Sequence, residues 1–368
     1  MSRQIINLQI GGTGISIGTL YWKRLINDHF LGENGQTYET GSNLYSVFSE
    51  KESGRLVPRT VFVDNDPLSF DYYEKSSFSS FFSGSSRCLL DPNDNTFELF
   101  ISSVAREAEK CDNLETIQVV LSTGGKIASN ISSMLYQVIP EHLGNVKIVT
   151  HALVPSASDT STHNNTLISL SSLHQFEKNS IVLYDTDRIW NIVNLRKGNN
   201  DTLYTNVDSY VASVMSHVTL GNRYFCELDF SLNKLFTKGF YTVSLFPPEI
   251  SSNKYVSNSL LKGILDSEIH SIPTNPFSQK LFSRAVIFKG NLSTFSVLNS
   301  FKDFQAELSN NSDQKPTLSL GYAQKNDSGS SVLMLSKDNS TIEYLEEVGK
   351  RGEQSNGYDE FLYSLKNA

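Results

Sequence analysis

The feature that most restricts this chain is an alternation repeated over roughly its first 200 residues. Short apolar runs end at glycine or aspartate, and each is followed by a helical pattern. Ile5-Ile6-Asn7-Leu8-Gln9-Ile10 stops at Gly11-Gly12-Thr13-Gly14, after which Ile17, Leu20, Tyr21 and Ile26 recur at helical spacing. Thr60-Val61-Phe62-Val63 stops at Asp64-Asn65-Asp66-Pro67, and Phe100, Ile101, Val104, Ala105 and Ala108 then form one apolar stripe. Thr116 to Leu121 leads through Gly124-Gly125 into a helix carrying Ile127, Ile131, Met134, Leu135 and Val138. Lys147 to Val154 and Ser180 to Tyr184 add two further strands. Strand–helix alternation of this kind implies right-handed crossovers and a parallel sheet covered on both faces. Ligands of such sheets sit at the carboxyl ends of the strands, where the Gly, Asp and Asn residues of this chain collect.

Val207, Tyr210, Val211, Val214, Met215 and Val218 form a long helix after this region. The stretch from Phe246 to Phe277 carries prolines and serines with little periodicity and reads as a connector. Ala285 to Phe288, Thr317 to Tyr322 and Val332 to Leu335 read as strands of a smaller mixed α/β unit, with a helix near Thr341 to Lys350. Composition narrows the function classes. A net charge of −8 with no Lys/Arg-rich run argues against nucleic acid as the main partner. Cys88, Cys111 and Cys226 form no CxxC pair, which gives no support to a zinc knuckle or disulfide framework. The opening residues are too polar for a signal peptide, and no apolar run approaches the ~18 residues of a membrane span. The reading is a cytoplasmic chain without a membrane partner.

The collinear order of motifs resembles the tubulin family from residue 2 to about residue 348. Arg3 to Gly11, then Ile17-Gly18-Thr19 and Trp22, are similar to the tubulin opening. Val57-Pro58-Arg59 and Val63-Asp64 resemble the second strand and its acidic loop; Glu107 to Asp112 resembles the helix end before the glycine box. Val154-Pro155-Ser156 and Ser158-Asp159-Thr160 resemble the ribose-side loop, His174-Gln175 the next helix, and Met215-Ser216 with Val218-Thr219 the end of the core helix. A short acidic region before Val57, together with Lys234, leans toward the β-tubulin side. The resemblance implies a nucleotide-binding Rossmann-like domain over 1–202, a core helix over 203–222, and an intermediate domain over 223–368 with truncated C-terminal helices. It also implies GTP or GDP with Mg²⁺, head-to-tail assembly with tubulin-like subunits, and a cytoskeletal, microtubule-type location. With the chain ending at Ala368, the family's motor-binding helices are expected to be largely absent.

The same resemblance assigns the nucleotide contacts. Gly11, Gly12, Thr13, Gly14 and Ser16 stand in the first loop. Gly124, Gly125 and Lys126 open the stretch aligned with the family's GGGTGSG phosphate loop, and Ile127 stands in place of its threonine. Glycine suits such a loop because the backbone turns with positive φ and brings N–H groups to phosphate. Lys126 either neutralises a phosphate or points to water. Asp64 and Asp66 are the candidate Mg²⁺ ligands, with Asp66 also counted at the nucleotide; the alternative is Asp side chains bonding their own backbone. Asp159 serves the ribose side and Thr186 replaces a base-reading asparagine. Tyr204 is either the tyrosine that stacks on guanine or a core tyrosine. Asp208 can accept from two guanine N–H groups. Lys234 occupies the position of the hydrolysis-activating acid, and a lysine is no general base at neutral pH without a strongly depressed pKa. Two functions stay open. One is a GTP-binding filament subunit, at most a weak GTPase completed by a partner; the other is a pseudo-GTPase that keeps the fold as a protein-binding module. A dinucleotide enzyme is disfavoured, since no GxGxxG with a downstream acid is present.

Overall fold

A computed structural model of the chain describes residues 4–29, 31–32, 35–36, 43–82, 84–91, 97–144, 146–194, 203–220, 236–247, 257–273, 281–311, 317–324, 330–352 and 356–366. The chain packs into two compact units, one of Met1–Pro155 with Ser161–Ile181, the other of Ser156–Thr160 with Val182–Ala368. The boundaries expected after residues 202 and 222 border stretches outside the described residues.

In chain order the first unit contains β1 (Gln4–Ile10), α1 (Gly11–Asp28), β2 (Phe48–Glu50), β3 (Leu56–Pro58), β4 (Thr60–Asp64), α2 (Asp71–Glu74), β5 (Arg87–Leu89) and α3 (Glu98–Ala108). These are followed by β6 (Leu114–Ser122), α4 (Lys126–Leu143), β7 (Lys147–Val154) and α5 (His163–Gln175). Its sheet runs β7-β6-β1-β4-β5, with all four pairings parallel; β2 and β3 form a separate antiparallel pair. β1 is buried along its whole length, as a strand with both faces covered must be.

Two glycines hold α1 against this sheet. A Cβ on Gly14 would lie 2.6 Å from the Val120 carbonyl oxygen, and one on Gly18 would lie 2.2 Å from Cγ of buried Gln9. Neither position admits a side chain. Under α1 the core is partly polar: Trp22 Nε1 donates to Thr60 Oγ1 at 3.3 Å, and Thr60 Oγ1 donates to the Asn7 carbonyl at 3.2 Å. On β6 and β7, Gln118 Nε2 donates to Nε2 of fully buried His151 at 2.8 Å. Burial pushes His151 down to about 3, so the ring is neutral.

β8 (Asn179–Asp185) begins in the first unit and ends in the second. The second unit continues with α6 (Thr186–Asn194), α7 (Leu203–Leu220), β9 (Gly239–Phe246), α8 (Ser257–Ile264), β10 (Leu281–Gly290) and α9 (Thr294–Asn311). β11 (Thr317–Gln324), β12 (Ser331–Asp338), α10 (Ser340–Gly349) and α11 (Asn356–Lys366) complete it. Here β10 pairs parallel with β11 and antiparallel with β12, which pairs antiparallel with β9. The connector expected from Phe246 to Phe277 is not featureless: α8 buries Leu260, Leu261 and Ile264 on one face. Those three side chains anchor it among serines that blur the periodicity. Among the described residues, no helix is long and apolar enough to cross a membrane.

Gly14→Ala is expected to cost about 3 kcal/mol, the upper end for overpacking, because the obstructing atom is backbone; Trp22 fluorescence in a denaturant titration reads it. His151 supplies a pH test. Its folded pKa lies below the ordinary 6.5, so the unfolded chain binds the extra proton. Stability is therefore complete above about pH 6.5 and falls on acidification toward pH 3, with a slope approaching ~1.4 kcal/mol per pH unit from this residue. His151→Gln should flatten that slope; an unchanged acid limb in urea midpoints measured from pH 7 to 4 contradicts it.

Candidate functional site

At the carboxyl edge of the first unit's sheet, α1 follows β1 without a loop. Gly11 makes the turn at φ +74°, a conformation glycine adopts without strain. α4 begins four residues after the end of β6, at Lys126. Because β1 and β6 are neighbours with Ile10 opposite Leu121, the two helix starts emerge side by side. Neither helix has an acidic residue in its first turn, and Ile10 caps α1 with no side chain. First-turn amides lack intrahelical acceptors, and the helix dipole adds positive potential. The edge suits an anion.

The turn between β6 and α4 is held from behind. Thr123 Oγ1 and N both donate to the Leu153 carbonyl, at 3.0 and 2.8 Å. Ser169 Oγ of α5 donates to the Thr123 carbonyl at 2.9 Å, and Asn165 Nδ2 donates to the Gly124 carbonyl at 3.1 Å. Since the C=O and N–H of one trans peptide point opposite ways, tying the Thr123 carbonyl to α5 directs the Gly124 amide away from that helix. Gly125 N donates to Ser122 O at 3.2 Å and Ser129 N to Gly125 O at 2.9 Å, which leads the chain straight into α4.

This geometry corrects one expectation. Neither Gly124 nor Gly125 has a positive φ; among these loop glycines that role falls to Gly11. Gly124 is needed for a different reason: a Cβ there would sit 2.5 Å from Pro155 Cγ and 2.6 Å from Thr162 Cβ. Ile127 accordingly adopts ordinary helical backbone in the first turn, half-buried, while Lys126 is exposed.

Asp64 and Asp66 follow β4. Buried Asp64 accepts on Oδ1 from Asn65 N at 2.7 Å and Asp66 N at 3.4 Å. Its Oδ2 lies 3.9 Å from where a Cβ on Gly12 would stand, beside the start of α1. Exposed Asp66 accepts from Leu68 N at 2.9 Å and caps the 3-10 turn Pro67–Phe70. Both carboxylates thus shape a turn. Among the described residues, no group of three or more His, Cys, Asp or Glu side chains forms a metal cage. Mg²⁺ does not require one, since it takes one or two carboxylates plus phosphate oxygens and water. In the first loop Thr13 is exposed and Ser16 half-buried.

The second unit holds the base- and ribose-side candidates. Thr186 is the first residue of α6. Asp185 caps that helix by accepting from Arg188 N at 2.9 Å on Oδ1; its Oδ2 accepts from Tyr344 OH at 2.7 Å, with Arg351 Nη2 at 3.7 Å. Burial first, then the Asp185 carboxylate, hold the Tyr344 phenol well above its usual range. Asp187 Oδ2 accepts from Ser156 Oγ and Ala157 N, both at 3.0 Å, which ties the loop of exposed Asp159 to the start of α6. Asp208 is buried on α7. Tyr204 lies on the first turn of α7 with its side chain outside the described residues, and Lys234 with its loop is also outside them. The sequence reading missed Asp185, Asp187, Asn165 as a turn anchor, and Ser169. Only the first had a readable signal, an aspartate three residues before a helical amide.

The model of the Tubulin/FtsZ family GTPase domain matches residues 4–194, from the start of β1 to the end of α6. The tubulin beta chain of Candida albicans is 27% identical over 330 residues, covering 80% of this chain and 72% of that one. The tubulin beta chain of Saccharomyces cerevisiae is 25% identical over 336 residues, covering 83% and 73%. The tubulin alpha-6 chain of Naegleria pringsheimi is 22% identical over 336 residues, covering 83% and 74%. With the domain match spanning more than half of the 368 residues and the parallel α/β sheet in place, this chain is a member of the tubulin/FtsZ family.

Proposed function

We propose that the protein is a divergent tubulin-family cytoskeletal subunit that binds guanine nucleotide and associates head-to-tail with tubulin-like partners. The observation that carries this reading is the paired start of α1 and α4 at neighbouring strands, with the turn carbonyls of Thr123 and Gly124 engaged by α5. That arrangement leaves donors at the sheet edge where a diphosphate or triphosphate needs them.

In this reading the amides of Gly11, Gly12, Thr13 and Gly124 cradle phosphate oxygens, with Gly14, Ser16 and Gly125 shaping the two turns. Exposed Lys126 adds a point charge. Asp64 and Asp66 are the residues that would hold a hydrated Mg²⁺, whose chemistry there would be charge neutralisation at the phosphates. Thr186 and buried Asp208 read the base, and the Asp208 carboxylate favours guanine by accepting from its N–H groups. Tyr204 stacks on the base and Asp159 meets the ribose. Lys234 brings no carboxylate to a neighbour's nucleotide, so the chain does not activate hydrolysis there. The proposed organisation remains 1–202, 203–222 and 223–368.

A second reading is favoured by Ile127 and by the aspartates. An apolar side chain stands in the first turn of α4, and both Asp64 and Asp66 are engaged by backbone amides. On that reading the chain is a pseudo-GTPase that binds tubulin-like partners without nucleotide.

Chromatography of the supernatant from purified, denatured protein separates the two. Near-stoichiometric GTP or GDP is expected for the nucleotide-binding subunit, and its absence supports the pseudo-GTPase. Replacing Lys126 by Gly together with Ile127→Thr is expected to tighten guanine-nucleotide binding roughly tenfold, about 1.4 kcal/mol, in a fluorescent-GDP titration. Lys234→Glu should speed GTP hydrolysis by a co-assembling tubulin; no change there would mean the loop does not dock on the partner's nucleotide.

A further inference from the structure

The face of the second unit's sheet covered by α8 and α9 changes character along the strands. At one end Phe288, Val286, Val332 and Met334 pack with Leu260, Ile264, Val297 and Phe304. Toward the other end the same face turns polar. Directly opposed residues on antiparallel strands share a face. Met334 opposes both Ser244 and Val286, and two residues further along β12, Ser336 opposes both Thr242 and Arg284. His270 bridges Ser244 from the remaining edge of β9. Thr242, Ser244, His270 and Ser336 are each 1% exposed and Arg284 is 2% exposed.

Part of this layer is satisfied internally. Arg284 Nε donates to Ser336 Oγ at 2.9 Å, and Arg188 Nε donates to the His270 carbonyl at 2.9 Å. Asp338, the acidic neighbour of Arg284, is engaged by the start of α10, where Ser340 N donates to its Oδ1 at 3.0 Å and the Ser340 hydroxyl donates to the same oxygen. Three side chains are left over. Among the described residues, no hydrogen-bond partner meets Thr242 Oγ1, Ser244 Oγ or either ring nitrogen of His270. Buried polar groups are rarely left so, because the lost hydration is not recovered. Each of these groups can also donate. Two hydroxyls and one imidazole N–H can donate, and a guanidinium carries positive charge. Burial, followed by the charges of Arg284 and Arg188, holds His270 down near about 3, so its other ring nitrogen accepts. Burial also lowers Arg284 to about 10, against the opposing pull of Asp338, so its charge is poorly solvated.

We propose that this layer is a binding site for a small tetrahedral oxyanion of the phosphate or sulfate class, held by the Arg284 charge and the Thr242, Ser244 and His270 side chains. An anion with four oxygens meets several donors at once, and a protonated oxygen such as that of hydrogen phosphate offers a proton to the accepting His270 nitrogen. The site lies within the second unit and shares no residue with the proposed nucleotide contacts, so it stands or falls separately from them.

Thermal unfolding of the full chain tests it. Inorganic phosphate or sulfate is titrated against chloride at constant ionic strength, because a ligand bound only by the folded state raises the midpoint with its concentration. The wild-type midpoint is expected to rise with phosphate or sulfate. Arg284→Met is expected to abolish the response. Thr242→Val, which keeps the side-chain shape and removes one donor, is expected to weaken the apparent affinity roughly tenfold. Should Arg284→Met fail to fold, Thr242→Val carries the comparison. A wild-type midpoint indifferent to both anions overturns the site and leaves a layer satisfied by water. A response undiminished in Thr242→Val also overturns it, because the anion then binds elsewhere.

Discussion

α1 lies so close to β1 and β6 that Gly14 and Gly18 can carry no side chain, and this approach organises the first unit. A helix seated at that depth buries Trp22, Tyr21, Ile15 and Leu25 completely. It also has no slack at its start. The chain passes from Ile10 into the helix through Gly11 alone, so the first amides of α1 are delivered to the end of β1 with little freedom to move. The parallel register of β1 with β6 then brings the start of α4 alongside. Close packing under the helix is thus what places the first turns of two helices at one edge.

The turn before α4 reaches the same end by other means. Glycines in a turn before a helix are usually explained by backbone freedom, yet neither Gly124 nor Gly125 has a positive φ. What Gly124 supplies is space for Pro155 and Thr162, and what aims the turn is the pair of α5 side chains on its carbonyls. A loop built this way tolerates Ile127, because a β-branched residue in a first helical turn is unstrained. Its apolar side chain is half-buried there, beside exposed Lys126.

The second unit uses its polar residues differently. Asp185 and Asp187 are spent on holding α6 and the Ser156–Thr160 loop, with Tyr344 and Arg351 gathered on Asp185. These groups gather at the start of α6, whose first residue is Thr186. The His270 layer does the opposite, concentrating donors that the described residues do not satisfy.

Much of the architecture was legible in the residue order. The β1, β4, β6, β7 and β8 runs are continuous apolar stretches because both faces are covered, and the stripe of α3 and the glycines at the strand ends follow from the same layering. The collinear motifs identified the family for the same reason, since close packing and tight turns restrict residue types locally. α8 and α9 were obscured because a few anchors, such as Leu260 with Ile264 or Val297 with Phe301, are enough when a sheet face supplies the rest of the core. The candidate site divided along the same line. Gly11, Gly124, Asp64 and Thr186 were named as candidates through the family resemblance of short stretches, whereas no short stretch pointed to the carbonyl anchors Asn165 and Ser169. Their partners are 41 and 46 positions away in the chain. Which donor meets which acceptor over such separations is decided by how helices settle on a sheet, and that depends on the packing of the whole unit rather than on any short stretch of sequence.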